Sequence, residues 1–150
     1  MSNAFVLVGA PGSGKSTYAA KLAEIEDAVI ISGDDVRTKL YGSPDIRGEW
    51  GEIWSYIEAL VADAGGRPVI LDGTHYRTDY RQEAITLLRS YGYSNVEAVI
   101  LNPSLATCIA RDFKRKRHVP DYVIKEMHAT LQRSLPNICN EGFSRVTEIT

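Results

Sequence analysis

Short apolar runs alternate along the chain with segments whose apolar residues recur every three or four positions. Ala4–Val8, Ala28–Ile31, Pro68–Leu71 and Val96–Leu101 are runs of the strand type, and Phe143–Ile149 makes a fifth. Between them, Lys15–Ile25 places Ala19, Leu22 and Ala23 on one side of a helix. Trp50, Ile53, Trp54, Ile57 and Val61 form a second helical stripe, stopped by Gly65-Gly66. Ala84, Ile85, Leu87 and Leu88 form a third, within a helix expected over Tyr80–Tyr91 and ended by Gly92. Asp34–Leu40 is expected to make one or two helical turns, and Gly42 to Gly48 a loop. Pro103 and Pro120 are each expected at the first turn of a helix, where a missing N–H costs nothing; the second helix runs to about Leu135. Strand–helix alternation of this kind predicts an α/β domain with a parallel sheet of four or five strands and helices on both faces.

The chain has 150 residues, 44% of them hydrophobic and 24% charged, which fits one globular domain over 1–150 and excludes disorder, collagen-like repeats and rods. A net charge of −2 excludes a polybasic coat, so any nucleic-acid contact has to come from a local patch. The two cysteines, Cys108 and Cys139, lack CxxC spacing; they read as small core residues in a reducing cytoplasm rather than a disulfide or zinc framework. No run approaches the length of a membrane span, and the N-terminus lacks the features of a signal peptide.

One motif changes the picture. Gly9-Ala10-Pro11-Gly12-Ser13-Gly14-Lys15-Ser16 matches G-x-x-x-x-G-K-[ST], after an expected strand and at the start of an expected helix. Glycines let the backbone wrap so that successive N–H groups face phosphate oxygens, and the helix N-terminus adds partial positive charge. Gly9, Gly12, Ser13, Gly14 and Thr17 line such a loop, Lys15 reaches the β- and γ-phosphates, and Ser16 ligates Mg²⁺. The alternative is a glycine-rich turn with an exposed lysine.

Three further places bear on what is done with the nucleotide. Ser32-Gly33-Asp34-Asp35-Val36-Arg37 directly follows a strand, which puts Asp34 at the mouth of a site beyond the carboxyl ends of the sheet. Asp34 there either accepts a proton from an attacking hydroxyl or caps the next helix. Arg37, one turn on, suits a phosphate or carboxylate of the acceptor. Val69-Ile70-Leu71-Asp72-Gly73-Thr74 ends a strand in Asp72, which supports Mg²⁺ through water, bonds the acceptor, or simply closes a turn. A haloacid-dehalogenase reading of its DGT needs an aspartate where Ile70 stands and is excluded. Arg111-Asp112-Phe113-Lys114-Arg115-Lys116-Arg117-His118 is a basic tongue in an otherwise acidic chain. Arg111 and Arg115 are expected on one helix face of a lid over about 111–119; a solvated charge run or a nucleic-acid patch is the alternative. The stripe with Trp50 and Trp54 reads as core, with base stacking by Trp54 as the alternative. Arg77 and Arg81 are placed on the acceptor side, and His75 reads as a packed or hydrogen-bonded group.

Together GAPGSGKST, ISGDDVR, LDGTH and RDFKR followed by HVPDYVIKEM resemble, in order and spacing, the polynucleotide 5′-hydroxyl kinase family, the kinase domain of phage-type end-healing enzymes in the P-loop kinase group. The resemblance runs from about Phe5 to Phe143. It implies a P-loop kinase fold with a helical, arginine-rich lid, using ATP and Mg²⁺. It implies Lys15, Asp34 and Arg115 as catalytic residues, with Asp34 as general base and Arg115 as the lid arginine. Arg111 becomes a second lid contact to the nucleotide, Arg37 and Asp72 acceptor contacts, and Ser16 with Asp72 the metal site. His75 replaces the asparagine of the family's D-x-T-N segment, and the segment between Arg115 and Pro120 is about one residue shorter. The acceptor so implied is the 5′ end of a nucleic acid; a small-molecule kinase of the same group, or an ATPase or switch module, are the other two readings. None of the motifs points to a protein partner or a membrane.

Overall fold

The computed structural model describes residues 3–115 and 118–149. Five strands form one sheet: β1 (Asn3–Val8), β2 (Val29–Ser32), β3 (Val69–Asp72), β4 (Asn95–Leu101) and β5 (Arg145–Ile149), in the order β2-β3-β1-β4-β5, every pairing parallel. The helices are α1 (Lys15–Glu26), α2 (Gly33–Tyr41), α3 (Trp50–Asp63), α4 (Thr78–Ser90), α5 (Leu105–Phe113) and α6 (Asp121–Ser134), and a 3₁₀ segment follows at Leu135–Asn140. The chain thus has the P-loop kinase-type fold, with β1 at the centre of a five-stranded sheet.

The strands are apolar on both sides because both faces are covered. Ala4, Val6 and Val8 of β1 face one core, shared with Ile53, Ile57 and Val61 of α3 and Ala84, Ile85 and Leu88 of α4. Phe5 and Leu7 point the other way, with Ile70 and Val99, onto Ala19 of α1. A third, smaller cluster of Ala10, Cys108 and Ile124 fixes α5 and α6 over the loop after β1.

Several expectations are corrected. Pro103 lies outside its helix: Ser104 is the cap, its hydroxyl accepting from the Thr107 N–H at 3.2 Å, and α5 starts at Leu105. Pro120 is likewise the residue before α6 rather than its first turn. The side-chain hydroxyl of Ser104 satisfies an orphan N–H that proline could not, which moves the start by two residues. Cys108 is in the core, but Cys139 is exposed. Trp50 is 40% exposed, at the open end of the α3 stripe, and stacks on Trp54 at 5.6 Å instead of entering the core. Arg115 does not share a helix face with Arg111, because α5 ends at Phe113. Lys116 and Arg117 of the basic tongue lie outside the described residues. Among the described residues, no helix is long and apolar enough to cross a membrane.

Candidate active site

The loop between β1 and α1 closes on itself and on its neighbours. Ser13 N–H bonds the Ala10 carbonyl at 3.1 Å, and Gly9 N–H bonds the Thr74 carbonyl at 2.9 Å, tying the loop to the end of β3. Gly12 and Gly14 have φ of 83° and 95°, a left-handed backbone that glycine adopts without strain. Gly12 is also packed against α5: a Cβ there would lie 2.2 Å from the Cys108 carbonyl oxygen. Gly14 is the cap of α1 and carries no side chain to satisfy the first N–H groups. Those N–H groups and the dipole of a twelve-residue helix face the same space. Ser13 is buried, and its Oγ has no hydrogen-bond partner among the described residues. The residues present therefore fit a polyphosphate: open backbone donors, an unpaired buried hydroxyl and a lysine at one helix start.

Lys15 Nζ rests on the Ala10 carbonyl at 3.1 Å. Burial lowers its pKa from 10.5 to about 8, opposed by the charges of Asp72 and Asp34 and helped by Arg115. Ser16 and Thr17 follow in the exposed first turn of α1. Ser16 Oγ donates to Asp72 Oδ2 at 3.3 Å. Burial raises the Asp72 pKa, against the pull of Lys15 and the Ser16 hydrogen bond, and Asp34 and Asp35 raise it further. A hydroxyl and a carboxylate in contact beside a phosphate loop suit a hard divalent ion that also takes phosphate and water oxygens. Among the described residues no group of three or more His, Cys, Asp or Glu is placed to hold a metal on its own.

The acidic pair lies at the start of α2, where β2 ends beside β3; Ser32 and Asp72 are register partners. Ser32, not an aspartate, caps this helix, its Oγ accepting from Asp35 N–H at 3.4 Å. That leaves the Asp34 carboxylate, 51% exposed, at the mouth of the site, with Arg37 Nη1 3.9 Å away. Arg37 Nε–H also donates to the Arg47 carbonyl at 3.5 Å, joining α2 to the loop that follows it.

Arg111 reaches the phosphate loop directly: its Nη1 donates to the Ser13 carbonyl at 3.2 Å. Arg115 lies beyond α5, its Nη1 3.4 Å from Asp112 Oδ1. Asp112 is buried and organises both flanks of the tongue, since its Oδ2 accepts the Val119 N–H at 2.9 Å and its carbonyl bonds His118 Nδ1 at 2.9 Å. Lys15, Ser16, Asp34, Arg37, Asp72, Arg111 and Arg115 thus come from four separate segments to one end of the sheet.

Two residues behave differently from expectation or escaped it. Arg81 does not line the acceptor side. It is fully buried and forms a double hydrogen bond to Glu141, Nε–Oε1 and Nη2–Oε2 both at 2.7 Å, and its Nη1 holds the His75 carbonyl at 2.9 Å. Its position on the Ala84–Ile85–Leu88 face was a usable signal for burial; nothing local points to Glu141. His75, as expected, is hydrogen-bonded: its Nδ1–H donates to the Leu7 carbonyl at 2.7 Å, and burial lowers its pKa to about 4, so the ring is neutral. Asp112 carries no sequence signal of its own, because it sits inside a run of charges.

The model of the AAA domain family (AAA_33) matches residues 5–134. Among solved structures, a chain of the Pnkp1/Rnl/Hen1 RNA repair complex superposes with a TM-score of 0.80 at 23% identity, over 91% of this chain and 46% of that one. A gluconokinase from Sinorhizobium meliloti 1021 superposes with a TM-score of 0.58 at 22% identity, over 98% of this chain and 81% of the other. Both likenesses are of fold. Uncharacterized proteins of Mycobacterium bovis and Mycobacterium tuberculosis are 42% identical over 81 residues, covering 44% of this chain and 16% of theirs.

Proposed function

The chain belongs to the AAA domain family, with a P-loop kinase-type fold, and from that premise we propose that it is an ATP- and Mg²⁺-dependent kinase domain acting on the 5′-hydroxyl of a nucleic acid. The observation that carries the reading is the exposed Asp34 carboxylate at the same sheet end as Lys15, Ser16 and Asp72. A nucleotide switch has no use for an acidic group at that mouth; a hydroxyl acceptor does.

In this reading the loop from Gly9 to Thr17 holds the triphosphate, Lys15 bears charge on the β- and γ-phosphates, and Ser16 with Asp72 supports Mg²⁺. Asp34 takes the proton of the acceptor hydroxyl as its oxygen bonds the γ-phosphorus; the bond to the β–γ bridging oxygen breaks and ADP leaves. Arg37 holds the acceptor phosphate. Arg111 and Arg115 form the lid of about 111–119 and neutralise the phosphoryl group in flight. The order of motifs along the chain and the fold shared with a chain of the RNA repair complex support the nucleic-acid acceptor. The fold shared with a gluconokinase supports a small-molecule acceptor as the second reading.

The test is transfer of γ-labelled phosphate, with Mg²⁺, to a 5′-hydroxyl oligonucleotide and to its 5′-phosphorylated twin. Label on the first alone supports the reading. Label on neither, with transfer to a sugar or nucleoside, establishes the second. ATP turnover indifferent to every hydroxyl acceptor replaces both with an ATPase or switch.

A further inference from the structure

Two cavities lie side by side along α6 and share Arg77 and Thr130 in their walls. One, of about 600 Å³, is bounded by Arg47, Tyr76, Arg77 and, on α6, Tyr122, Glu126 and Met127. The other, of about 510 Å³, continues past Asp79 to Arg133 and Asn137. From Tyr122 to Arg133 the helix rises about 16 Å, so the pair forms a trough long enough for more than one nucleotide.

The trough starts at the acceptor side of the candidate site. Arg47 presents its carbonyl to Arg37 at 3.5 Å, and Tyr76 follows the Asp72–His75 segment directly. Its charge is three arginines against Asp79 and Glu126, in a chain whose net charge is −2. Arg77 is held rather than loose: it bonds Asp79 at 2.7 Å and lies 4.5 Å over the Tyr80 ring. Tyr80 in turn packs edge-on to Tyr76 at 5.8 Å and against Trp50 at 5.6 Å, so this wall is a braced aromatic ladder. Across from it, Tyr122 is 71% exposed, an aromatic face with little else to pack on.

We propose that this trough binds the nucleotides that follow the 5′ end of a single-stranded polynucleotide, with Arg47, Arg77 and Arg133 on phosphates and Tyr76 and Tyr122 against bases. The proposal rests on the reading of the chain as a 5′-hydroxyl kinase. Aromatic faces interleaved with arginines along an open groove match how single strands are held without regard to sequence. A small ligand would instead be enclosed on most sides, and this trough is open. Duplex ends expose their bases only by fraying, so the single strand is the better substrate.

Two measurements test it. The first is kcat/KM for a nucleoside 3′-monophosphate against a single-stranded 5′-hydroxyl oligonucleotide of about a dozen nucleotides. The wild type favours the oligonucleotide by about tenfold or more, and Arg47→Ala and Tyr122→Ala each collapse that ratio. The second is anisotropy of the same strand carrying a 3′ fluorophore, titrated at several salt concentrations. Each arginine removed lowers the slope of log K against log salt by about 0.7, which a general loss of structure does not do. Both variants change exposed side chains, and unchanged circular dichroism and thermal midpoint establish that they fold. Equal efficiency on monomer and oligomer, or variants that keep the wild-type ratio and slope, overturns the trough and leaves the kinase reading standing. Strand binding that depends on Arg47 and Tyr122 without phosphoryl transfer overturns the kinase reading and leaves the trough.

Discussion

Arg111 Nη1 donates to the carbonyl oxygen of Ser13 at 3.2 Å and so joins the last turn of α5 to the phosphate loop. The bond occupies a carbonyl of the loop and ties the loop to α5. A charge-assisted hydrogen bond contributes about 1.5–3 kcal/mol when protected, and toward the low end here, where Arg111 is exposed. Arg111→Ala is expected to weaken ATP binding by about fivefold or more. Isothermal titration with a non-hydrolysable analogue measures it, and an unchanged Kd removes Arg111 from the nucleotide site.

Gly12 and Gly42 have the same φ of 83°, yet their substitutions are expected to differ. At Gly42 a Cβ meets nothing within 4 Å, so Gly42→Ala costs only the strain of the left-handed backbone, about 1 kcal/mol. At Gly12 the Cβ would meet the Cys108 carbonyl oxygen at 2.2 Å, and backbone on both sides has to shift. Gly12→Ala is expected to lower the thermal midpoint several degrees more than Gly42→Ala and to abolish ATP binding. Equal midpoints for the two variants would contradict this account of how α5 packs on the loop.

What was legible in the sequence follows from how local each signal is. The strands declare themselves as short apolar runs, because both faces of the sheet are covered; α3 and α4 do so by period, because one face of each is covered, and the phosphate loop by glycines whose backbone the turn demands. Trp50 was misplaced because a helical stripe says which face is buried but not where along the helix the core ends. Pro103 lies two residues before its helix because the Ser104 side chain caps it in competition with the proline rule, and Pro120 lies one residue before α6, at a cap position with no side-chain bond. The Arg81–Glu141 pair spans sixty positions, and no local pattern predicts its second member. The trough is assembled from three segments, so no single local pattern marks it.

That buried pair makes its own prediction. Arg81 is 0% exposed on its side chain and Glu141 4%, and Arg81 also holds the His75 carbonyl where His75 has a φ of 44°. Removing one partner leaves an uncompensated buried charge. Glu141→Ala is expected to cost about 3–5 kcal/mol, and the double change Arg81→Met with Glu141→Leu less than either single change. Urea denaturation of the three variants measures it. A double variant as unstable as the sum of the singles would show that the pair carries no coupling.

The lowered pKa of Lys15 gives a pH signature. Folding depresses it from 10.5 to about 8, so between those values the unfolded chain binds the extra proton and the nucleotide-free protein gains stability as pH rises. ATP binding runs the other way, since the triphosphate needs the charged amine. With a pKa near 8, affinity is expected to be nearly flat from pH 6.5 to 7.5 and about tenfold weaker at pH 9 than at pH 7. Lys15→Met binds weakly and without this fall. Isothermal titration across that range checks both, and a fall that persists in Lys15→Met assigns the titration to another group.

Asp34 is the residue on which the chemistry turns. Its carboxylate is 51% exposed, the helix cap is provided by Ser32, and Arg37 stands 3.9 Å away, so its place at the mouth is not accounted for by holding α2 in shape. Asp34→Asn keeps the side-chain outline and removes the proton acceptor; it also removes an acidic group from the first turn of α2, at a cost of about 0.3–1 kcal/mol. With a 5′-hydroxyl oligonucleotide as acceptor, kcat is expected to fall by about 10² or more, as for loss of a positioned general base. ATP affinity should stay near wild type, because Asp34 is not part of the phosphate loop. Single-turnover transfer measured beside ATP binding separates the two. Turnover within a few-fold of wild type would sink the assignment of Asp34 as base and pass the role to Asp72, whose pKa is already raised by burial.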